Sequence, residues 1–249
     1  MNSRAPLRFR LSAFTLVELL TVIAIIAILM GLLFPALQIV KNQANKVRAK
    51  TDVVNTVAAV KQYYAEYGKY PLTGAINLGN AQTNADVLFG DSNSVPNGSP
   101  NANNLLFDIL RNYPNLGGSP RPSPDGNPRQ ITFFEGRNGT PTNATPLSGF
   151  MGSSTGGTGG VIGCFYDPWG NQYAISIDGT YDNWVPVPYL DFTVTNAGPT
   201  TPSPGVNVGC AAWSVGKDGK LGTSVSGSGD SYYKNPSLST TSDDVISWQ

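Results

Sequence analysis

The chain has 249 residues, of which 13% are charged, and it contains 28 glycines and 19 prolines with a formal net charge of zero. A chain of this length forms one domain or two small ones, and the frequent glycine and proline predict many turns and loops. The sequence has no basic patch, so a nucleic acid is not expected as a partner.

A long apolar segment begins near the N-terminus, in the stretch SAFTLVELLTVIAIIAILMGLLFPALQ. Residues 14–37 contain a single charged side chain, Glu18. A helix of this length, roughly 36 Å, is long enough to cross the hydrocarbon core of a membrane. Basic residues lie on both sides of the segment, so charge does not fix its orientation. On hydropathy alone, the segment is typical of a signal anchor.

The helical pattern continues through residues 38–70 and ends at Gly68 and Pro71. Two stripes of residues at helical spacing predict a broad apolar face that packs on a sheet. The first stripe is Leu37, Val40, Ala44, Val47, Thr51, Val54 and Ala58, and the second is Val53, Val57, Val60, Tyr64 and Tyr67. We therefore predict one helix from Phe14 to Tyr67, about 80 Å long if unbroken. The alternative is a membrane anchor followed by a separate coiled stalk.

The rest of the chain predicts a loop-rich region followed by a small sheet. Residues 71–160 have mostly loop composition, with a short helix predicted in NNLLFDILRNY and a strand in RQITFFE. In residues 161–249, strands are predicted in QYAISI, LDFTVT, NVGCAAWSVG and DVISW. One long helix followed by short strands indicates an α+β fold with an antiparallel sheet.

The N-terminal pattern consists of a short basic leader, a small residue, the motif FTLVELL and a long apolar helix. It resembles the class III signal of type IV pilins and type II secretion pseudopilins. The resemblance implies that residues 1–13 are a leader, which a prepilin peptidase removes by cutting between Ala13 and Phe14, and that the new N-terminus is methylated. Glu18 and Pro35 then fall at positions where this family carries these residue types. The implied fold is the pilin lollipop, a long helix whose second half packs on a β-sheet head.

The resemblance gives Glu18 a role in assembly. Cleavage creates an α-amino group on Phe14, which is positive at neutral pH. In the family's filaments, the carboxylate of an incoming subunit faces the amine of its neighbour, and such a pair in apolar surroundings selects the partner and the register. The alternative is a carboxylate that is solvated near the lipid headgroups. For Pro35, a functional kink and a simple exit from the membrane are both open.

Two C-terminal segments resemble the major pseudopilin of type II secretion more narrowly: DPWGNQY, and WSVGKDGKLG followed by SDDVISW. The second resembles the family's calcium-binding loop, which implies calcium bound by Asp218, Asp243 and Asp244. Carboxylates and the carbonyls of a glycine-rich loop are ligands that calcium prefers. The inserted stretch SVSGSGDSYYKNPSLSTT leaves open that Asp230 replaces one of them. The alternative is a turn aspartate and a solvated acidic pair.

The two cysteines, Cys164 and Cys210, both lie in the C-terminal half of the chain. In an extracytoplasmic compartment they could form a disulfide, whereas in the cytosol they would stay reduced. A disulfide is the prediction adopted here.

No enzymatic activity is expected, because the sequence has no histidine and no nucleophile elbow, P-loop or C-x-x-C motif. The predicted function is a structural pseudopilin subunit that polymerises into a periplasmic fibre of type II secretion. Its predicted partners are the prepilin peptidase, other copies of the chain, minor pseudopilins and an inner-membrane assembly platform. The N-terminus is expected in the cytoplasm and the head in the periplasm. Two alternatives are a type IV pilin or minor pilin for adhesion, motility or DNA uptake, and a membrane-anchored binding protein that does not polymerise.

Overall fold

The computed structural model describes residues 15–72, 86–91, 101–112, 126–140, 145–152, 160–189, 193–194, 203–224, 230–231 and 242–248. The chain divides into two compact units, Met1–Ala44 and Asn45–Gln249. The helices are α1 (Leu16–Tyr67) and α2 (Asn104–Arg111). The strands are β1 (Val87–Phe89), β2 (Gly149–Phe150), β3 (Phe165–Tyr166), β4 (Ala174–Ile177), β5 (Val185–Pro186), β6 (Thr193–Val194), β7 (Ser203–Val206), β8 (Cys210–Ser214), β9 (Thr223–Ser224), β10 (Asp230–Ser231) and β11 (Val245–Ile246).

The first unit contains the apolar part of α1. Every large apolar side chain of this helix from Leu16 to Val40 is exposed. Within the part of the chain that the structure describes, α1 is the helix that is long and apolar enough to cross a membrane. It continues through Pro35 without a break, which confirms the single long helix rather than an anchor joined to a separate stalk.

In the second unit, α1 packs against a four-stranded sheet in the order β1-β4-β8-β11. All three strand pairings are antiparallel, with Phe89 opposite Ile175, Ile175 opposite Ala212, and Trp213 opposite Ile246. Successive residues of a strand point to opposite faces of a sheet. Ala212 of β8 accordingly belongs to the core shared with α1 and α2, and Trp213 to a second core on the other face. The α+β fold with an antiparallel sheet is confirmed.

The face of α1 that packs on the sheet differs from the predicted one. Val47 and Val54 of the first stripe are exposed by 58% and 44%, so that stripe does not face the core. The buried residues of α1 are Ala49, Asp52, Val53, Thr56, Ala59, Val60 and Tyr63, so only Val53 and Val60 of the second stripe are fully buried. The helix is rotated from the expected position because its buried face includes two polar residues, which apolar periodicity overlooks.

Among the shorter elements, α2 and the strands β4, β8 and β11 confirm the predictions. The strand predicted in RQITFFE is wrong, because the backbone of that segment binds a helix end rather than a neighbouring strand. The N–H groups of Phe133 and Phe134 both donate to the carbonyl oxygen of Leu110, at 2.8 and 3.1 Å. Strand β1, in a region expected to be loop-rich, was missed although it pairs with β4 along its whole length. Of the LDFTVT prediction, the structure describes only β6.

The predicted disulfide between Cys164 and Cys210 is not formed in the structure, where both are buried thiols. They belong to different packing clusters: Cys164 packs with Met151 and Tyr166, whereas Cys210 belongs to the core between α1 and the sheet. Burial raises the pKa of the Cys210 thiol to about 12. The pairing of β8 with β4 holds Cys210 opposite Ile177, whereas Cys164 packs in the separate cluster beside β3.

Candidate functional site

The implied processing site, Ala13 and Phe14, lies outside the described residues, which begin at Thr15. Glu18 is in the first turn of α1 and forms a reciprocal cap with Thr15. Its Oε2 accepts hydrogen bonds from the N–H of Thr15 at 2.9 Å and from the hydroxyl at 2.8 Å. In return, the N–H of Glu18 donates to Thr15 Oγ1 at 3.2 Å. Threonine and glutamate three residues apart form the capping box that satisfies backbone groups at a helix start.

Glu18 therefore has a local structural role that the sequence reasoning overlooked, although T-x-x-E is readable in FTLVELL. A carboxylate in the first turn also interacts favourably with the helix dipole. The cap stabilises the start of the helix in a single chain, and a charge pair between subunits would add to it. Any test of the assembly role must separate these two effects.

The predicted metal ligands are brought together by the pairing of β8 and β11. Asp218 follows β8, and Asp243 and Asp244 precede β11. Because the two strands are antiparallel neighbours, the end of one meets the beginning of the other. Ligand oxygens of the three aspartates lie within 4.8 Å of one another. The structure therefore assembles the predicted set in one place, and only the backbone of Asp230 is described.

Asp243 organises the turn that carries Asp218. Its Oδ2 accepts hydrogen bonds from the N–H of Lys217 at 2.6 Å and from the N–H of Asp218 at 3.3 Å. Gly216 begins this turn with φ +69°, and an added Cβ would lie 2.6 Å from the carbonyl oxygen of Asp243. Glycine is required here because both the backbone conformation and the close approach exclude a side chain.

Asp244 is the buried member of the cluster, with 4% of its surface exposed. Its Oδ2 accepts a hydrogen bond from the N–H of Gly222 at 2.6 Å. Its Oδ1 is buried and accepts no hydrogen bond of normal geometry from the described residues. Burial raises the pKa of this carboxyl to about 7. Gly222, Tyr189 and Ser242 oppose this shift only in part, so ionising the buried carboxyl is costly, and a bound cation would reduce that cost.

The cluster fits a calcium ion on chemical grounds. Oxygens that each lie 2.3–2.6 Å from one Ca²⁺ are within about 5 Å of each other, as are the three aspartates. Carboxylates are hard oxygen ligands of the kind that calcium prefers. Asp218, Asp243 and Asp244 would hold the ion, which would neutralise their mutual repulsion and lock the loop to β11.

The DPWGN segment, residues 167–171, forms a tight turn around the buried Asp167. Oδ1 of this carboxylate accepts hydrogen bonds from the N–H groups of Trp169 and Asn171, at 2.8 and 2.9 Å. Its Oδ2 accepts one from the hydroxyl of Ser214 on β8, at 2.6 Å. Burial raises the pKa of Asp167 to about 6 against the effect of these donors. The turn is thereby tied to the strand that leads into the loop carrying Asp218.

An ionic network around the buried carboxylate of Asp52 joins α1 to the rest of the second unit. The guanidinium of Arg137 binds both carboxylate oxygens of Asp52, at 3.2 and 2.7 Å. The hydroxyl of Tyr173 donates to Asp52 Oδ2 at 2.8 Å, and Arg137 Nε donates to the carbonyl of Ser148 at 2.6 Å. These partners explain how α1 can bury the carboxylate of Asp52. No pattern in the sequence indicates that these residues meet.

The chain is similar in sequence to known proteins in two respects. Residues 9–34 match the model of the prokaryotic N-terminal methylation motif. A stretch of 72 residues is 33% identical to the type II secretion system core protein G of Pectobacterium carotovorum subsp. carotovorum. That match covers 29% of this chain and 46% of the relative, so the chain spans about half the length of the curated relative it matches. No solved structure matches the chain.

These findings confirm the predicted resemblance to the type IV pilin and pseudopilin superfamily. Within it, the relative named above is a type II secretion protein, as the narrower resemblance predicted. Both findings point to a structural, pilin-like protein rather than to an enzyme.

Proposed function

We propose that the chain is a pseudopilin subunit that a prepilin peptidase processes and that polymerises into a fibre of type II secretion. The N-terminal methylation motif over residues 9–34 is the observation that carries this proposal. The similarity to a type II secretion core protein and the acidic cluster beside β11 favour a secretion fibre over an adhesive pilus. The predicted partners are other copies of the chain, minor pseudopilins and the inner-membrane assembly platform.

The surface of α1 supports both anchoring and polymerisation. Before assembly, the exposed apolar side chains from Leu16 to Val40 would hold the subunit in the inner membrane. The family resemblance implies that the N-terminus is then in the cytoplasm and the head in the periplasm. In the fibre, the same side chains would pack against the helices of neighbouring subunits. In the second unit, Val47 and Val54 of α1 are also exposed apolar side chains, which a lone chain leaves in contact with water.

The fibre proposal is tested by expressing the full chain together with a type II secretion apparatus. We expect the chain in fibres sheared from the cells. Recovery of the chain only in the membrane fraction would instead favour an anchored protein that does not polymerise.

We also propose that Asp218, Asp243 and Asp244 bind calcium and that the ion stabilises the head. For the full chain in detergent at pH 8, saturating calcium should raise the melting temperature relative to EDTA by about 5–10 °C. This corresponds to about 3 kcal/mol of linkage at a hundredfold excess over Kd. The cation requires ionised ligands, so its affinity should fall as the pH drops below the pKa of Asp244, about 7.

The variant Asp244→Asn distinguishes the loss of a calcium ligand from a loss of stability. In EDTA at pH 8 it should be at least as stable as the wild type, because a raised carboxyl pKa means that stability is lost as the pH rises through 7. It should nevertheless lose the gain from calcium. Asp86→Asn is the control, since burial also raises the pKa of Asp86, to about 6, away from the cluster. The proposal would be contradicted if calcium did not raise the melting temperature of the wild type, or if it raised that of Asp244→Asn by the same amount.

A further inference from the structure

The loop that carries Asp218 rests on the DPWGN turn through the side chain of Asn171. The Nδ2 of Asn171 donates a hydrogen bond to the carbonyl oxygen of Gly216 at 3.0 Å. The same side chain lies against Gly219, where an added Cβ would be 3.2 Å from Asn171 Oδ1. Asn171 therefore touches the loop on both sides of Asp218.

Asn171 is itself held in place by Asp167. Its N–H donates to Asp167 Oδ1 at 2.9 Å, and its carbonyl accepts the N–H of Asp167 at 2.8 Å. The other oxygen of Asp167 accepts the hydroxyl of Ser214 at 2.6 Å, and the N–H of Gly216 donates to that hydroxyl at 3.1 Å. Gly216 is thus fixed from the turn at both of its backbone groups, the N–H through Ser214 and the carbonyl through Asn171.

The position of Gly216 decides how the metal ligands meet. The residues that follow it donate their N–H groups to Asp243, so a shift of Gly216 would move Asp218 relative to that carboxylate. Two carboxylates this close repel each other unless a cation or the backbone holds them. A rigid support beneath Gly216 would keep the ligand oxygens in place before the ion arrives and would reduce the ordering cost of binding.

We propose that Asn171 is a positioning residue of the calcium loop, which holds Gly216 so that Asp218 and Asp243 share one cation. This inference rests on the proposed calcium site and adds the DPWGN turn to it. Side chains that orient metal ligands without touching the metal typically contribute about 10–100-fold to affinity. Removing the side-chain amide should therefore weaken calcium binding, although Asn171 does not contact the ion.

The test is calcium titration calorimetry on the full chain in detergent at pH 8, with unfolding followed in EDTA. Asn171→Ala should weaken calcium affinity by about tenfold or more. Asn171→Asp keeps the size of the side chain but turns an acceptor towards the Gly216 carbonyl, so it should weaken affinity as well. Asn127→Ala is the matched control, because Asn127 makes the same type of hydrogen bonds, to the carbonyls of Ile109 and Ile131, outside the metal loop. It should destabilise the protein in EDTA and leave calcium affinity unchanged.

Three outcomes would overturn the inference. Equal affinities of wild type and Asn171→Ala would leave the calcium site standing and remove the role of Asn171. If Asn127→Ala weakened calcium binding as much as Asn171→Ala, calcium affinity would simply follow the stability of the protein. A wild type that does not bind calcium would overturn the calcium site, and the positioning role with it.

Discussion

Glu18→Ala and Glu18→Gln should both abolish fibre formation while leaving the leader cleaved. The proposed assembly step pairs this carboxylate with the amine of Phe14 on a neighbouring subunit, in apolar surroundings. Removing one partner of such a pair costs about 3 kcal/mol or more, which weakens docking roughly a hundredfold or more. The measurement is the amount of chain in sheared fibres, with the processed fraction determined in the same cells.

The capping box supplies matched controls for this experiment. Glutamine can replace glutamate in a capping box, so Glu18→Gln keeps the contact with Thr15 and removes only the charge. Thr15→Val removes the hydroxyl partner and keeps the charge. We expect fibres from Thr15→Val and none from Glu18→Gln. The opposite pattern would mean that Glu18 acts through the helix start, and fibres from Glu18→Ala would remove any assembly role.

Arg137→Met should destabilise the head by about 2 kcal/mol, because it leaves the carboxylate of Asp52 buried without its cation. The expected loss is smaller than for a fully buried pair, since the Arg137 side chain is itself 40% exposed. Tyr173 would still donate one hydrogen bond, which does not neutralise the charge. For a head of this size, the melting temperature should fall by about 5 °C. Thermal and urea unfolding of the full chain in detergent measures the effect.

The ion pair between Arg129 and Glu66 provides the control, since it also joins a loop to α1 but has an arginine side chain that is 65% exposed. Arg129→Met should cost about 1 kcal/mol or less. The double variant Asp52→Leu with Arg137→Met should recover much of the loss, because it removes both charges. Equal effects of Arg137→Met and Arg129→Met would show that the pair with the buried Asp52 contributes no more than a surface pair.

The features that could be predicted from the sequence are those that depend on patterns of neighbouring residues. The apolar run and the amphipathic extension define α1, and short runs of strand-forming residues define β4 and β8. The meeting of Asp218 with Asp243 and Asp244 follows from pairing two strands that the sequence had already located. The resemblance to a known family then identified these three aspartates as a candidate metal site.

The features that the sequence did not predict depend on contacts between distant residues. Asp52 of α1 is paired with Arg137 from the loop-rich region, 85 residues along the chain. Phe133 and Phe134 have strand-forming side chains, but their N–H groups donate hydrogen bonds to the carbonyl of Leu110 near the end of α2. Asn171 looked like part of a turn, and only the fold shows that its amide reaches Gly216. None of these partners lies within a sequence window that a periodic pattern can cover.

The most direct measurement of the central claim is the intact mass and N-terminal sequence of the chain purified from native membranes. Our account predicts a chain that begins at Phe14 with a methylated amino group, in agreement with the methylation motif over residues 9–34. A chain that begins at Met1 and keeps its leader would contradict it, because Glu18 would then never meet an amine on Phe14. The protein would in that case be an anchored protein without the means to assemble as a pilin does.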